Sequence, residues 1–396
     1  MMPCEGGLQT VKGFSFSAIK AEIRYKDRLD FSLIVSDTLC NCAGVFTTNK
    51  IFAAPVALCR ERTGNPIKGI LINATNANAC TGDEGYRNAR NLTADAAKEL
   101  GAGPESILMA STGIIGVQLP ADTMRAAIPR LTGSLSVENA KLIPRAIMTT
   151  DTFPKECAAS FTTSRGEFHI AGTAKGAGMI APNMATLLAF MITDAPIAKP
   201  DLDAIFRRCI DKSLNAITID GDMSTNDSAF LLSPASDSPL SDTEDLREFE
   251  AALLYVTEKL GELIVTDAEG ATKLARITVT GAASEEDAKR AARAIAESML
   301  VKTAMFGRDP NWGRIACAAG YSGADISEKK LTIRIDDETL FADGAPAAKN
   351  EANLMEILGR RSYTIHVDLG LGNGTSTYLT SDLSYDYVKI NAEYST

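Results

Sequence analysis

Residues 175–192 read KGAGMIAPNMATLLAFMI, and this stretch decides how the chain is built. Glycines and a proline lead to Thr186, and the apolar run Leu187–Ile192 that follows it predicts a buried strand. The threonine therefore lies at the entrance to that strand. Taken alone, a β-branched residue at the start of a strand is an ordinary structural feature.

Histidines are scarce, which narrows the available acid–base chemistry. The chain has two, His169 and His366, and both lie in alternating stretches that predict strands. A hydroxyl at Thr186 can attack the carbonyl of Ala185, pass through an ester and release Thr186 as a new N-terminus. The freed α-amine has a reference pKa of about 7.7–8.0, so it can accept the hydroxyl proton. The pattern therefore allows a nucleophile that supplies its own base.

Composition and charge exclude several classes of protein. Of 396 residues, 45% are apolar and 23% are charged, which predicts a soluble globular protein with one large or two medium domains. The net charge of −10 argues against binding to nucleic acid, which needs a basic face. Neither a signal peptide nor a membrane span is predicted, so we expect a cytoplasmic protein. The eight cysteines lack the spacing of a zinc site, and we expect free, mostly buried thiols and no bound metal.

Strand and helix patterns alternate along the chain, which predicts an α/β or α+β fold. The predicted strands are Phe31–Val35, Gly69–Ile72, Ile107–Met109, Ala216–Ile219, Arg276–Thr280, Leu331–Ile335 and Tyr363–Val367. The predicted helices are Asn88–Leu100, Asp201–Leu214, one that opens with a capping box at Ser241 and stops at Gly261, and one from Ser284 to about Val301. The polar stretch Leu232–Asp242 is the predicted linker, which gives domains 1–235 and 236–396.

Two further features are candidates for a site. The strand Ile107–Met109 leads to the small-residue turn at Thr112 and Gly113, where a glycine N–H and a neighbouring hydroxyl can stabilise a negatively charged oxygen. Strand-end turns of this kind are also common without a function. Lys175 can bind a substrate carboxylate, and a solvated surface lysine is the alternative.

Residues 176–188 resemble the self-cleaving segment of the ornithine acetyltransferase (glutamate N-acetyltransferase) family of arginine biosynthesis. The resemblance extends over nearly the whole chain, through residues 43–49, 76–82, 149–152, 220–227, 307–314 and 387–396. It implies an α/β fold of layered sheets and helices with a self-cleaving N-terminal threonine nucleophile. It also implies cleavage between Ala185 and Thr186 into an α chain, 1–185, and a β chain, 186–396, which assemble as an α₂β₂ heterotetramer.

The resemblance also implies roles for single residues. Thr186 corresponds to the nucleophile, and Thr112 and Gly113 to the oxyanion hole. It implies that domain 1–235 is the main catalytic domain and that the C-terminal tail of the second domain returns to the active site. The positions that match substrate-binding residues are Thr149 (chosen over Thr150 by its spacing to Lys175), Lys175, Thr186, Glu269, Asn391 and Thr396. One departure is visible: the family commonly reads Asn-Ser-Gly-Asn where this chain has Asn73-Ala74-Thr75-Asn76, so a loop has lost its glycine.

The implied reaction moves an acetyl group from N2-acetylornithine to Thr186 and then to glutamate, by ping-pong kinetics and without a metal or organic cofactor. One pocket with a cation for the carboxylate can serve both amino acids in turn. Three alternatives stay open. Acetyl-CoA can be a second donor; a related N-terminal-nucleophile aminopeptidase or amidase would deliver the acyl group to water; and a non-catalytic scaffold protein would keep an uncut chain.

Overall fold

The computed structural model describes residues 1–181 and 187–393. Ala185, Thr186 and Thr396, to which the sequence analysis assigns roles, lie outside the described residues. The strands are β1 (Met2–Cys4), β2 (Phe14–Ile19), β3 (Phe31–Phe46), β4 (Ile67–Asn73), β5 (Ile107–Ser111), β6 (Lys155–Thr163), β7 (Gly166–Lys175), β8 (Leu188–Thr193), β9 (Ile217–Thr218), β10 (Ser228–Pro234), β11 (Leu274–Ala282), β12 (Thr332–Ile335), β13 (Glu338–Ala342), β14 (Ala345–Pro346), β15 (Ser362–Asp368) and β16 (Gly374–Ser381).

Helices alternate with these strands, which confirms the predicted mixture of α and β structure. They are α1 (Ala54–Arg62), α2 (Gly82–Glu99), α3 (Ala121–Gly133), α4 (Ile143–Ala146), α5 (Lys199–Lys212), α6 (Thr243–Thr266), α7 (Glu285–Glu297), α8 (Met299–Phe306), α9 (Trp312–Gly320), α10 (Glu351–Gly359) and α11 (Tyr385–Glu393). Within the described ranges, none of them has both the length and the apolar character needed to span a bilayer.

The first compact unit consists of Met1–Asn215 and Asp222–Ile264. Its sheet has the strand order β1-β6-β7-β8-β10-β3-β4-β5, with β2 paired to β3. Strand β8 lies between β7, to which it is antiparallel, and β10, to which it is parallel. The segment that follows the predicted cleavage point is therefore an interior strand of the sheet.

Both faces of this sheet are buried, as the apolar runs in its sequence require. Successive residues of β4 point to opposite sides: Ile70 joins one apolar cluster and Leu71 joins the other. The cluster around Leu71 also contains Leu92 of α2 and Ile128 of α3, so helices cover that face. The result is a layered α/β arrangement, as predicted.

The second compact unit consists of Ala216–Gly221 and the chain from Val265 onward. Its strand order is β14-β13-β12-β15-β11-β16-β9. Ile277 of β11 and Ile365 of β15 lie in register and share one buried cluster with Ile295 of α7 and Leu354 of α10. This unit therefore has its own sheet, helices and core.

Each predicted strand is found, and the ends differ by at most two residues except in β3, which continues to Phe46 beyond the predicted end at Val35. The two histidines lie in β7 and β15 as predicted. The predicted linker Leu232–Asp242 instead lies inside the first unit, and the compact units divide between Ile264 and Val265 rather than near residue 235. The reason is α6: its Phe249 is fully buried, with its ring 5.7 Å from that of Phe161 in β6. The catalytic role assigned to domain 1–235 stays a prediction.

Three helix predictions were wrong in detail. Helix α2 begins at Gly82, six residues before the predicted start at Asn88. Helix α6 is capped by Asp242, whose Oδ1 accepts the Glu244 N–H at 2.8 Å, rather than by Ser241. It continues past Gly261 to Thr266, because burial of later residues such as Ile264 outweighs the cost of about 1 kcal/mol for a glycine in a helix. The helix predicted from Ser284 is capped there as expected. It breaks at Ser298, whose extended backbone ends α7 and whose hydroxyl caps α8.

Candidate active site

A buried carboxylate organises one end of the first sheet. Asp151 Oδ1 accepts hydrogen bonds from Lys155 Nζ at 2.6 Å and Gly176 N at 2.8 Å, and its Oδ2 accepts the Thr149 N–H at 2.9 Å. Burial raises the pKa of Asp151, but the charges of Lys175 and Lys155 outweigh it and lower that pKa to about 2. Asp151 is therefore an anion at neutral pH that fixes Thr149 and the start of the glycine-rich segment.

Lys175 is the last residue of β7 and is only 3% exposed, so it is not the solvated surface lysine of the alternative interpretation. Its Nζ lies 3.5 Å from Thr112 Oγ1. It also lies in register with Leu188, the first residue of β8. The structure thus brings a buried cation next to the hydroxyl of Thr112 and next to the strand that follows Thr186.

Gly113 occupies a position that only glycine fits. Its φ is +136°, and a Cβ placed there would lie 2.1 Å from the carbonyl carbon of Thr75. The neighbouring N–H groups of Thr112 and Ile114 donate to Asn73 O and Thr75 O. Among the described residues, the Gly113 N–H has no such acceptor. Gly113 is half-buried, and an N–H group to which the described residues offer no acceptor can donate to an oxyanion.

Side-chain amides hold this turn in place. Asn73 accepts from the Ser111 hydroxyl at 2.6 Å and donates to Asn76 O at 2.8 Å. Asn226, from the segment before β10, donates to Ser111 O at 2.8 Å and to Ala77 O at 2.6 Å. These hydrogen bonds fix the ends of β4 and β5 and hence the position of Thr112 and Gly113.

Thr75 occupies the position where the family pattern has glycine, and it keeps a glycine-like backbone. Its φ is +77°, a region that β-branched residues rarely adopt. It is 4% exposed, and its Oγ1 has no hydrogen-bond partner among the described residues. A threonine therefore holds a backbone conformation that glycine adopts at lower cost, with backbone strain and a hydroxyl that is unpaired among the described residues.

A second predicted cluster lies in the second unit. Asn391 Nδ2 of α11 donates to Glu269 Oε2 at 2.9 Å. The next residue, Gly270, has a φ of +67°, and a Cβ there would lie 2.5 Å from the Tyr387 nitrogen. Ser384 Oγ donates to Gly270 O at 2.6 Å. The loop with Glu269 is thus packed directly against the helix with Asn391.

The predicted site residues fall into three groups. Those that the structure brings together in the first unit are Thr112, Gly113, Thr149 and Lys175. Glu269 and Asn391 meet in the second unit, and the remaining predicted residues are not described. Within 1–181 and 187–393, no three or more His, Cys, Asp or Glu side chains are grouped so as to hold a metal ion.

Sequence reasoning gave no role to Asp151, Lys155, Asn226 or Asp227, all of which are buried. Each has a local signal: Asp151 and Lys155 are opposite charges four residues apart, and Asn226 and Asp227 directly precede an apolar strand. A polar residue at the edge of a buried strand needs a partner inside the protein. That signal indicates that a residue is buried and hydrogen-bonded, but it does not identify the partner.

Comparison with known proteins shows which family this chain resembles in sequence. The sequence model of the ArgJ family matches residues 15–396. The "Arginine biosynthesis bifunctional protein ArgJ" of Geobacter sulfurreducens is 50% identical over 98% of this chain and 100% of its own length. The mitochondrial protein of that name from Schizosaccharomyces japonicus is 44% identical over 97% of this chain and 92% of its own length.

Two solved structures share part of the sequence. ArgJ from Bacillus halodurans is 39% identical, has a TM-score of 0.49, and covers 52% of this chain and 98% of its own. The ornithine acetyltransferase of Mycobacterium tuberculosis, solved with ornithine, is 29% identical, has a TM-score of 0.42, and covers 44% of this chain and 94% of its own. Because the family match and the sequence relatives extend over nearly all of its residues, this chain belongs to the ArgJ family.

Proposed function

We propose that the chain transfers the acetyl group of N2-acetylornithine to glutamate, which yields ornithine and N-acetylglutamate. The hydroxyl of Thr186 attacks the acetyl carbonyl while the α-amine of Thr186 takes its proton and passes it to the departing ornithine amine. The amine of glutamate then attacks acetyl-Thr186, and its proton returns through the same α-amine to the Thr186 oxygen. The names of the relatives, which place them in arginine biosynthesis, support this reaction.

The observation that carries the proposal is the turn at Thr112 and Gly113 with Lys175 buried against it. Both half-reactions pass through a tetrahedral intermediate whose oxygen is negative. The Gly113 N–H, which has no acceptor among the described residues, and the Thr112 hydroxyl are suited to bind that oxygen. The buried Lys175 adds positive charge where water screens it little.

We assign substrate binding to Thr149, Lys175, Glu269, Asn391 and Thr396, as the family pattern implies. Both substrates present an α-carboxylate, which a cation such as Lys175 attracts. Since donor and acceptor share this group, a pocket with such a cation can accept them in turn. Use of one pocket by both substrates is the physical basis of the ping-pong scheme.

We further infer that the precursor cuts itself between Ala185 and Thr186 and that the two chains form an α₂β₂ heterotetramer in the cytoplasm. The native mass would then be about twice the 42.1 kDa of one precursor chain. The word "bifunctional" in the names of the relatives is consistent with acetyl-CoA as a second donor. No metal or organic cofactor enters the proposed chemistry.

Incubation of the purified protein with N2-acetylornithine, with and without glutamate, tests the function. We expect N-acetylglutamate and ornithine to appear in equal amounts by mass spectrometry, and the β chain to gain the mass of one acetyl group when glutamate is omitted. Ornithine release at the same rate without glutamate would instead identify a hydrolase. Acetyl-CoA in place of N2-acetylornithine tests the second donor.

The variant Thr186→Ala is the matched control, since it removes the hydroxyl and leaves the rest of the chain intact. We expect one uncut chain by intact mass and no transfer. Thr186→Ser keeps a hydroxyl, and we expect it to cut and to transfer at a different rate. A wild-type protein that stays uncut and transfers no acetyl group would favour the scaffold alternative.

A further inference from the structure

Asp227 is a buried carboxyl group beside the nucleophile segment, and the proposed chemistry leaves it without a role. It directly precedes β10, is 1% exposed, and accepts the Leu187 N–H with its Oδ1 at 2.7 Å. The next residue, Ser228, donates its N–H to Leu187 O at 3.2 Å and lies in register with Leu188. Both polar groups of the Leu187 backbone are therefore held by Asp227 and its neighbour.

The second oxygen of this carboxyl group distinguishes it from a structural carboxylate. Among the described residues, Asp227 Oδ2 is buried and has no hydrogen-bond partner. Burial raises the pKa of Asp227 well above its usual value. The Leu187 hydrogen bond, the charge of Lys175 and the nearby Thr47 side chain, whose hydroxyl donates to Ser224 O at 2.8 Å, offset only part of that rise. Asp151, which also lies in the first unit, has both oxygens bonded and remains an anion.

We propose that Asp227 positions the nucleophile: it acts as an uncharged carboxylic acid that fixes the backbone amide on the C-terminal side of Thr186. This inference rests on the proposed role of Thr186. The nitrogen of Leu187 is covalently bonded to the carbonyl carbon of Thr186, so the hydrogen bond to Asp227 restrains the peptide group of the nucleophile itself. A shift of about 1 Å in a reacting group can cost a hundredfold in rate.

The uncharged state has a physical reason. Attack by the Thr186 oxygen creates negative charge on a carbonyl oxygen, both in self-cleavage and in acetyl transfer. A buried anion near that oxygen would oppose the charge, because water screens little inside the protein. A neutral acid still offers an oxygen to the Leu187 N–H and avoids the repulsion. Lys175 remains the charged group that acts on this carboxyl group.

Two variants of Asp227 test the proposal, with self-cleavage followed by intact mass and transfer followed by kcat and KM. Asp227→Asn keeps an oxygen for Leu187 and cannot ionise, so we expect kcat within about threefold of wild type, and cleavage to completion. Asp227→Ala removes the acceptor, and we expect cleavage and kcat to fall by about a hundredfold with little change in KM. At high pH, Asp227→Asn should lose activity no earlier than wild type.

Asp30→Asn is the matched control for a general loss of stability. Asp30 is also fully buried in the first unit, and its two oxygens accept the N–H groups of Ala21 and Ile23 at 2.7 Å each. We expect this variant to melt at a lower temperature with an unchanged kcat. The thermal midpoint of each variant is measured alongside its activity.

Two outcomes would overturn the proposal in an active wild-type enzyme. Equal losses in Asp227→Asn and Asp227→Ala would mean that the carboxyl group works as an anion. Full cleavage and transfer by Asp227→Ala would mean that the hydrogen bond to Leu187 is not needed. A wild-type protein without acetyl transfer would instead refute the proposed function, and cleavage by intact mass would still report on Asp227.

Discussion

At the scale of single residues, the turn at Thr112 and Gly113, the proposed oxyanion hole, depends on two neighbouring residues with opposite preferences for backbone conformation, Gly113 and Thr75. Gly113 adopts a positive φ at little cost, because it has no Cβ to meet the carbonyl of Thr75. Thr75 adopts a positive φ although it is β-branched. Strain of this kind persists where the surrounding bonds determine the backbone, and here the amide of Asn73 and the Ile114 N–H hold both ends of the loop.

We predict that Thr75→Gly stabilises the protein. The change relieves about 1–3 kcal/mol of backbone strain and removes a buried hydroxyl without a described partner. Against this stand the entropy of a glycine in the unfolded chain and a lost buried methyl group, together about 1.5 kcal/mol. We expect a net gain of about 1 kcal/mol in the free energy of unfolding, measured by urea denaturation.

Thr47→Gly is the control for this prediction. Thr47 is also buried, but its hydroxyl donates to Ser224 O at 2.8 Å, so the same change should destabilise the protein. If Thr75→Gly also destabilised it, the positive φ of Thr75 would not be a source of strain.

The pKa of Asp151 gives a prediction for stability at low pH. This pKa is about 2 in the folded protein and about 3.9 in an unfolded chain, so the carboxylate stabilises the fold above pH 4. The stabilisation, about 2–3 kcal/mol, is lost as the pH falls from about 4 towards 2. Asp151→Asn should remove this part of the pH dependence and, because Lys155 loses its buried partner, cost about 3–5 kcal/mol at pH 7.

Urea denaturation at several pH values measures both effects. Asp122→Asn is the control, since Asp122 pairs with Arg125 on the surface, where water screens the charges, and the change should alter stability little. A variant Asp151→Asn with the same acid sensitivity as wild type would contradict the assigned pKa.

Sequence patterns predicted only those site residues whose chemistry can be recognised from their own type and their immediate neighbours. Thr112, Gly113 and Lys175 could be selected because glycine, hydroxyl and cation are recognisable in the sequence. The pairing of Asp151 with Lys155 and the contact of Asp227 with Leu187 depend on strand neighbours that no local pattern specifies. The strained backbone of Thr75 was likewise visible in the sequence only as a missing glycine.

At the scale of secondary structure elements, periodicity predicted which segments are helices and strands better than where they end. Helix α6 passes Gly261 because its buried face continues beyond it, whereas the predicted single helix from Ser284 is interrupted at Ser298. Ends of this kind depend on tertiary packing, which can outweigh a cost of about 1 kcal/mol for a glycine or provide a new cap. A possible capping residue can be recognised in the sequence, but tertiary packing determines whether a helix begins there.

The loop after α6 and the segment before α11 are fastened by one carboxylate, Asp382. Its Oδ1 accepts the N–H groups of Thr272 and Lys273 at 2.8 and 2.9 Å, and it is 3% exposed. This contact orients the loop that carries Glu269 towards Asn391. We therefore predict that Asp382→Ala raises KM for both amino acids about tenfold with a smaller change in kcat, because it loosens binding and leaves the reacting groups in place.

Steady-state kinetics with Asp382→Asn and Asp336→Ala complete that test. Asn retains an acceptor for the two N–H groups and should restore most of the affinity. Asp336 also accepts a backbone N–H in the second unit, from Thr364 at 2.8 Å, and its variant should lower stability without raising KM. Equal KM values for Asp382→Ala and wild type would show that the Glu269 loop does not bind substrate.

At the scale of the whole molecule, the predicted cleavage point divides the first sheet between two chains whose strands alternate in it. Strands β1 to β7 belong to the proposed α chain, and β8 and β10 to the proposed β chain. The order across the first sheet is β1-β6-β7, then β8-β10, then β3-β4-β5. The two strands of the β chain are therefore enclosed on both sides by strands of the α chain.

Because strands of the two chains alternate in one sheet, we predict that the chains stay associated after cleavage. Separation of the chains would break two strand interfaces and expose buried residues such as Phe190 and Phe230, each worth about 1.5–3 kcal/mol when buried. Salt screens exposed ion pairs but does not weaken apolar contacts, so the two fragments should elute together from a sizing column even at about 1 M salt. On a denaturing gel they should run apart. Loss of the β chain from the native peak of fully cut protein would mean that the mature enzyme has a different strand order, in which β8 and β10 are not enclosed.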